Sequence, residues 1–127
     1  MSLAMTKAER EAFLAETRVA VIAIPEDGRG PLAVPVWYSY EPGGVVRWVT
    51  TGDSKKAELL RRAGRMSLCV QTETPPYRYL SVEGPVAIGA PEVERDIRQM
   101  AFRYLGREMG ELYLAGQASG YGEQILV

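Results

Sequence analysis

From Val19 to Ile88 the chain is a succession of short β-branched and aromatic runs, separated for the most part by turns of only a few residues. Parallel neighbours need crossovers of a dozen or more residues, so most of these runs must pair antiparallel. Val19–Ile24 reads as a first strand ending at Pro25, and Leu32–Tyr40 as a second. In the second, Leu32, Val34, Val36, Tyr38 and Tyr40 share one face. Pro35 has no N–H to give to a neighbouring strand, which sends this strand to an edge or to a bulge. Glu41-Pro42-Gly43-Gly44 turns into a third strand, Val45–Thr51. A fourth is expected over Met66–Gln71 and a fifth over Tyr77–Ile88, where Leu80, Val82, Val86 and Ile88 alternate with Tyr79, Ser81 and Glu83. Gly84-Pro85 predicts a bend within it, and Glu123–Val127 reads as a sixth strand on which the given sequence stops, so that a continuation is expected.

Helices punctuate this pattern. Thr6-Lys7-Ala8-Glu9 has the form of a capping box, which predicts a helix over about residues 7–16 with Phe13 and Leu14 inward. Ser54 caps a short helix reaching Ala63, with Ala57 and Leu60 inward. Pro91 is expected to open a long one, in which Val93, Ile97, Met100, Ala101, Tyr104 and Leu105 recur at helical spacing. Gly106 should end or kink that helix before a further piece, Glu108–Ala115, and residues 117–122 read as a glycine-bearing loop. About six strands with hairpin connections predict an α+β, mainly β chain whose antiparallel strands form a split barrel; an open α+β sandwich is the competing architecture. The whole of 1–127 is expected to be one domain, with the first five residues partly a leader.

What is missing narrows the chemistry. The chain has no histidine, the commonest general base and metal ligand, and Cys69 is its only cysteine. Cys69 lies in the apolar run Met66–Val70, where an inert strand residue is expected rather than a thiolate. No metal site is expected. Net charge is −1, which argues against nucleic acid as a partner. No apolar run approaches the roughly 20 residues that span a bilayer, and no signal peptide is legible, so a cytoplasmic location is expected. An enzyme with these side chains would need a bound cofactor to supply its reactivity.

One stretch looks built for a ligand. In Val45–Leu60 a strand turns at Gly52-Asp53 into a helix start, and Thr50, Thr51, Ser54, Lys55 and Lys56 fall within seven positions. The first N–H groups of a helix lack partners and carry partial positive charge, so hydroxyls and ammonium groups there can cradle a phosphate. The same residues also read as an ordinary cap with solvated lysines. Trp37 and Trp48, on neighbouring strands, read either as core or as a wall for an aromatic ring. Tyr77-Arg78-Tyr79 reads as a stacking surface, a subunit contact or an exposed strand end. Arg61, Arg62 and Arg65 extend the basic patch or are simply solvated.

The order of FLAETRVAVIAI, PLAVPVWY, VTTGDSKKAELLRR, MSLCVQTETPPYRYLSVEG and the late RYLG resembles the pyridoxamine 5′-phosphate oxidase-like superfamily of flavin and deazaflavin oxidoreductases. The similarity runs from about Phe13 to Leu114. It implies a split β-barrel that forms a homodimer, with a cofactor at each end of the interface. It further implies that Thr51, Ser54, Lys55 and Lys56, beside Thr50, hold a cofactor phosphate, and that Pro35, Val36 and Trp37 line the ring largely through backbone. Tyr77, Arg78 and Tyr79 would approach that site, from the partner subunit if not from their own. True pyridoxamine phosphate oxidases carry an arginine on the second strand and a C-terminal Arg-x-His, whereas this chain has PLAVPVWY and no histidine. That reaction is therefore not expected. The PVWY form is similar to the deazaflavin-using branch, which implies F420, with FMN as the alternative, and hydride transfer to or from an organic small molecule. A non-catalytic cofactor carrier would look the same. No catalytic residue is assigned; Tyr38 and Tyr79 are the candidate proton donors.

Overall fold

Ala20–Ile24 (β1) is the strand on which the others are laid in the computed structural model, which describes residues 5–117 and 124–126. Its side chains alternate between complete burial, at Ala20, Ile22 and Ile24, and the opposite face. Each fully buried aliphatic side chain contributes roughly 1.5–3 kcal/mol by leaving water. Leu32–Val36 (β2) pairs antiparallel on one side of β1, with Val21 opposite Pro35 and Ile24 opposite Leu32. Arg65–Gln71 (β4) pairs antiparallel on the other side, and Tyr79–Pro85 (β5) pairs with β4. The order is β2-β1-β4-β5, so Pro35 stands on an outer strand, where its missing N–H is tolerated.

Val49–Thr51 (β3) pairs instead with Gln124–Leu126 (β6) in a separate two-stranded sheet. The strands are therefore not closed into the expected six-stranded barrel: a four-stranded and a two-stranded antiparallel sheet stand in an α+β arrangement. The second and third strands are shorter than their sequence pattern. Between them only Ser39 and Arg47 form a bridge, exchanging both backbone bonds at 2.8 and 3.0 Å. At Tyr38 a side chain replaces the ladder, because its N–H is taken by the Tyr104 hydroxyl. Residues 118–122 of the expected loop, and Glu123 and Val127 of the expected last strand, lie outside the described residues.

Lys7–Ala15 (α1) carries the capping box, with Thr6 and Glu9 bonding each other's backbone N–H groups, and buries Phe13 and Leu14. Lys55–Ala63 (α2) is capped by Ser54 and ends at Gly64, whose φ of 69° closes the helix in the left-handed conformation that glycine adopts without strain. It buries Ala57, Leu59 and Leu60 against the inner face of the sheet, alongside Phe13, Ile22, Tyr38, Trp48, Leu68 and Val70. Those residues are the core. On the outer face of the sheet Val21, Pro35, Cys69 and Ser81 stand side by side across the four strands, with Tyr79 at one corner.

The late helical segment departs from a single helix opened by Pro91. A π-helical turn, Val93–Arg98, comes first, and Gln99–Gln117 (α3) follows. Gly106 breaks α3 with φ 79° and ψ 173°, so the second limb leaves at an angle. Gly110 on that limb is buried against Phe102 of the first limb; a Cβ there would sit 2.6 Å from Phe102 Cδ1. Gly110→Ala is accordingly expected to destabilise the fold by about 1–3 kcal/mol through overpacking, read as a lower urea midpoint with an unchanged slope.

Candidate functional site

Three elements meet beside the start of α2. The Ser54 Oγ accepts from the Ala57 N–H at 3.1 Å and lies 3.1 Å from the Thr50 Oγ1, while the Ser54 carbonyl takes the Glu58 N–H. As the first two residues of the helix, Lys55 and Lys56 have N–H groups with no partner inside it. The turn is braced from behind, where Arg61 donates to the Gly52 carbonyl at 2.9 Å. The two lysines then diverge. Lys55 reaches away to Glu26, pairing at 3.1 Å, and Lys56 turns toward a cleft of about 600 Å³.

That cleft has a polar and an apolar set of lining residues. Thr50, Thr51 and Lys56 furnish the first. Val19, Pro35, Val36 and Trp37 from the edge of the sheet furnish the second, closed by Ile97, Met100 and Ala101 from the late helices and by Tyr113. So of the residues singled out in the sequence, Pro35, Val36, Trp37, Thr50, Thr51 and Lys56 line one cavity. Ser54 supports it as the cap behind Thr50. Lys55 is committed to Glu26. Tyr77, Arg78 and Tyr79 do not line it within one chain: Tyr77 and Tyr79 are each 72% exposed, and the Arg78 guanidinium lies 5.2 Å from the Phe13 ring centre. Trp48 is core, 1% exposed. Arg62 and Arg65 pair with Glu58 and Glu83.

Trp37 is held on the helix side. Its ring stacks on Tyr104 at 5.1 Å with a 5° interplanar angle, and Tyr113 leans against it at 5.3 Å and 53°. Offset aromatic pairs of this kind contribute about 0.5–1.5 kcal/mol beyond burial. Neither tyrosine named as a proton donor serves the cleft. The Tyr38 hydroxyl is buried, donates to the Leu14 carbonyl at 2.6 Å, and is pushed up to about 12, chiefly by burial and then by neighbouring Tyr104. Tyr79 lies on the outer face of the sheet.

Asp96 also borders the cleft, and the sequence reading passed over it. It is 1% exposed, on the inward side of the π-helical turn, with Arg95 donating to both carboxylate oxygens at 2.8 and 2.9 Å and the Glu92 N–H at 2.7 Å. An acid among Val93, Ile97 and Met100 was the legible signal, because carboxylates are almost never fully buried unless paired. A larger hollow, about 920 Å³, opens along β5 opposite residues 44–48, but its walls are mostly aliphatic and it contains none of the cradle residues.

The Arg95 bonds, and after them the Glu92 N–H, hold the Asp96 carboxyl below its ordinary value of 3.8. A depressed folded-state value means stabilisation that is complete above the ordinary value and lost as pH falls through the lower one. Asp96→Asn should therefore be less stable than the parent at pH 7 by about 1–3 kcal/mol. Its urea midpoint should also fall less steeply than the parent's below about pH 4.

No family model matches the chain, and no curated protein matches it. Solved structures do. A conserved hypothetical protein from Mycobacterium tuberculosis superposes with a TM-score of 0.76 at 24% identity, over 97% of this chain and 78% of the other. An F420 reductase superposes with a TM-score of 0.62 at 17% identity, over 91% and 87%. A FAD-binding protein from Mesorhizobium loti gives 0.63 at 17% identity, over 96% and 86%. At these identities the likeness speaks for architecture. The chain shares with these neighbours, split-barrel flavin proteins among them, a mixed α+β fold built on an antiparallel sheet, which is the part of the expected architecture that is met.

Proposed function

We propose that this protein is an oxidoreductase that binds the deazaflavin F420 and exchanges a hydride between it and a small organic molecule. The observation that carries the reading is the mixed lining of one cleft: Thr50, Thr51 and Lys56, at the start of α2, share it with Pro35, Val36 and Trp37. A phosphate and a planar ring joined by a polyol need such mixed surroundings. An F420 reductase and a FAD-binding protein among the structural neighbours support the same reading. The FAD-binding neighbour also keeps FMN as the second candidate.

In this reading the cofactor supplies the hydride chemistry when bound. Lys56 and the start of α2 hold the phosphate through charge-assisted bonds, with Thr50 and Thr51 adding hydroxyl donors. Pro35–Trp37 keeps the ring against the sheet edge, where the Pro35 nitrogen offers no competing donor. The buried Asp96 carboxylate, paired with the partly exposed Arg95, keeps the nearby wall in place without adding a free negative charge beside the phosphate. No side chain of the cleft is assigned a proton-transfer role.

A homodimer belongs to the same proposal. The outer face of the sheet carries Val21, 45% exposed, next to Pro35, while Val19, 53% exposed, borders the cleft. A second copy on that face would bring its own Tyr79, which lies on the same face, toward the site.

Titration of the purified protein with F420 and with FMN, followed by fluorescence, tests the reading; binding of neither removes it. Lys56→Ala should weaken binding by about 1.5–3 kcal/mol if its ammonium pairs with the phosphate. Lys55→Ala should change it little, since that ammonium is engaged with Glu26. Turnover with a panel of acceptors separates an enzyme from a carrier, and light scattering that finds only a monomer counts against the dimer.

A further inference from the structure

Tyr104, on the first limb of α3, binds two chain segments at the sheet edge of the cleft at once. Its hydroxyl donates to the Arg18 carbonyl at 2.5 Å and accepts from the Tyr38 N–H at 3.1 Å, with the Tyr38 carbonyl also 3.1 Å away. Each of those backbone groups is next in sequence to a residue that lines the cleft. Arg18 precedes Val19, and Tyr38 follows Trp37. The Tyr104 ring completes the arrangement by lying parallel to the Trp37 indole at 5.1 Å. Val19, an exposed aliphatic side chain just before β1, and Trp37, just past the end of β2, both lie one step beyond the last ladder pair, Ala20–Val36.

We propose that Tyr104 is a positioning residue of the cofactor site, fixing Val19 and Trp37 side by side at the sheet edge of the cleft through one hydroxyl and one stacked ring. The inference rests on the cofactor reading above and deepens it. Burial raises the Tyr104 hydroxyl above its ordinary value, so the proton that bonds Arg18 stays in place across neutral pH. Removing the hydroxyl leaves the Tyr38 N–H and the Arg18 carbonyl in a site where water cannot easily replace it. Val19 and Trp37 are then free to shift, and a pre-shaped cleft becomes one that the ligand must order at its own cost.

The experiment uses the full chain labelled with 5-fluorotryptophan, which gives two resonances; Trp37→Phe assigns Trp37, and the buried Trp48 serves as the internal reference. In Tyr104→Phe the Trp37 resonance should move or broaden while Trp48 stays in place, and affinity for F420 or FMN should fall about tenfold. Tyr104→Leu, which also loses the stack, should fall further. If the parent binds cofactor and Tyr104→Phe binds it equally well, the proposal is overturned. It is also overturned if both tryptophan resonances shift together, since that marks general loosening of the core. If the parent binds neither cofactor, the functional reading fails on its own account. The Trp37 resonance still decides the positioning claim, upholding it if displaced in Tyr104→Phe and sinking it if unmoved.

Discussion

The last carbonyls of α1 have no partners within the helix, and the structure is arranged around giving them some. Phe13 is met by the Arg18 guanidinium, Leu14 by the Tyr38 hydroxyl, and Ala15 and Glu16 by Arg103 at 2.9 and 3.0 Å. Arg18, two residues beyond the cap, is met by Tyr104. The donors come from the linker into β1, from just beyond β2 and from α3. Three elements that are far apart in sequence are thereby tied to one helix end. Arg103 also lies over the Tyr38 and Tyr104 rings at 5.7 and 5.8 Å, so the cluster is cationic at its centre and aromatic around it. A guanidinium at a helix C-terminus is favoured by the helix dipole as well as by the bonds themselves.

The cleft inherits its shape from that junction. Its sheet wall begins where Arg18 hands over to Val19 and resumes where Trp37 precedes Tyr38. Its charge is set by subtraction. Of two adjacent lysines one is committed to Glu26, and the one acid at the cleft is held by Arg95, so Lys56 is left as the cation that lines the cavity among the described residues. A site with one ammonium, two hydroxyls and a helix start is well matched to a single anionic group and poorly matched to a polyanion such as a nucleic-acid backbone.

Much of this was legible because the local rules agreed. β5 shows a clean alternation of half-buried Leu80 and Val82 with exposed Tyr79, Ser81 and Glu83, and the capping box of Thr6 and Glu9 is realised in both its bonds. That Thr50, Thr51 and Lys56 line one cavity was legible for the same reason: a cap, two threonines and two lysines fall within seven positions. What sequence could not supply was competition between partners. Lys55 and Lys56 are equivalent in a one-dimensional reading, and only the approach of Glu26 from the β1–β2 turn separates them. The strand patterns through Tyr40 and from Val45 overran the real ladders because Tyr104, 66 positions along the chain, claims the Tyr38 N–H. The helical wall of the cleft was hidden differently. Ile97, Met100 and Ala101 are ordinary inward residues, and nothing in their spacing says that the space they face is a cavity rather than packed core.

Both outer strands of the four-stranded sheet contain a proline, Pro35 in β2 and Pro85 at the end of β5. An outer strand ordinarily presents a row of free peptide groups that can recruit further strands and seed aggregates. A residue without an N–H interrupts that row on each flank, so the sheet resists sideways growth into fibres. The row of free peptide groups is thereby broken at both margins of the sheet, and Pro35, which breaks one of them, also lines the cleft.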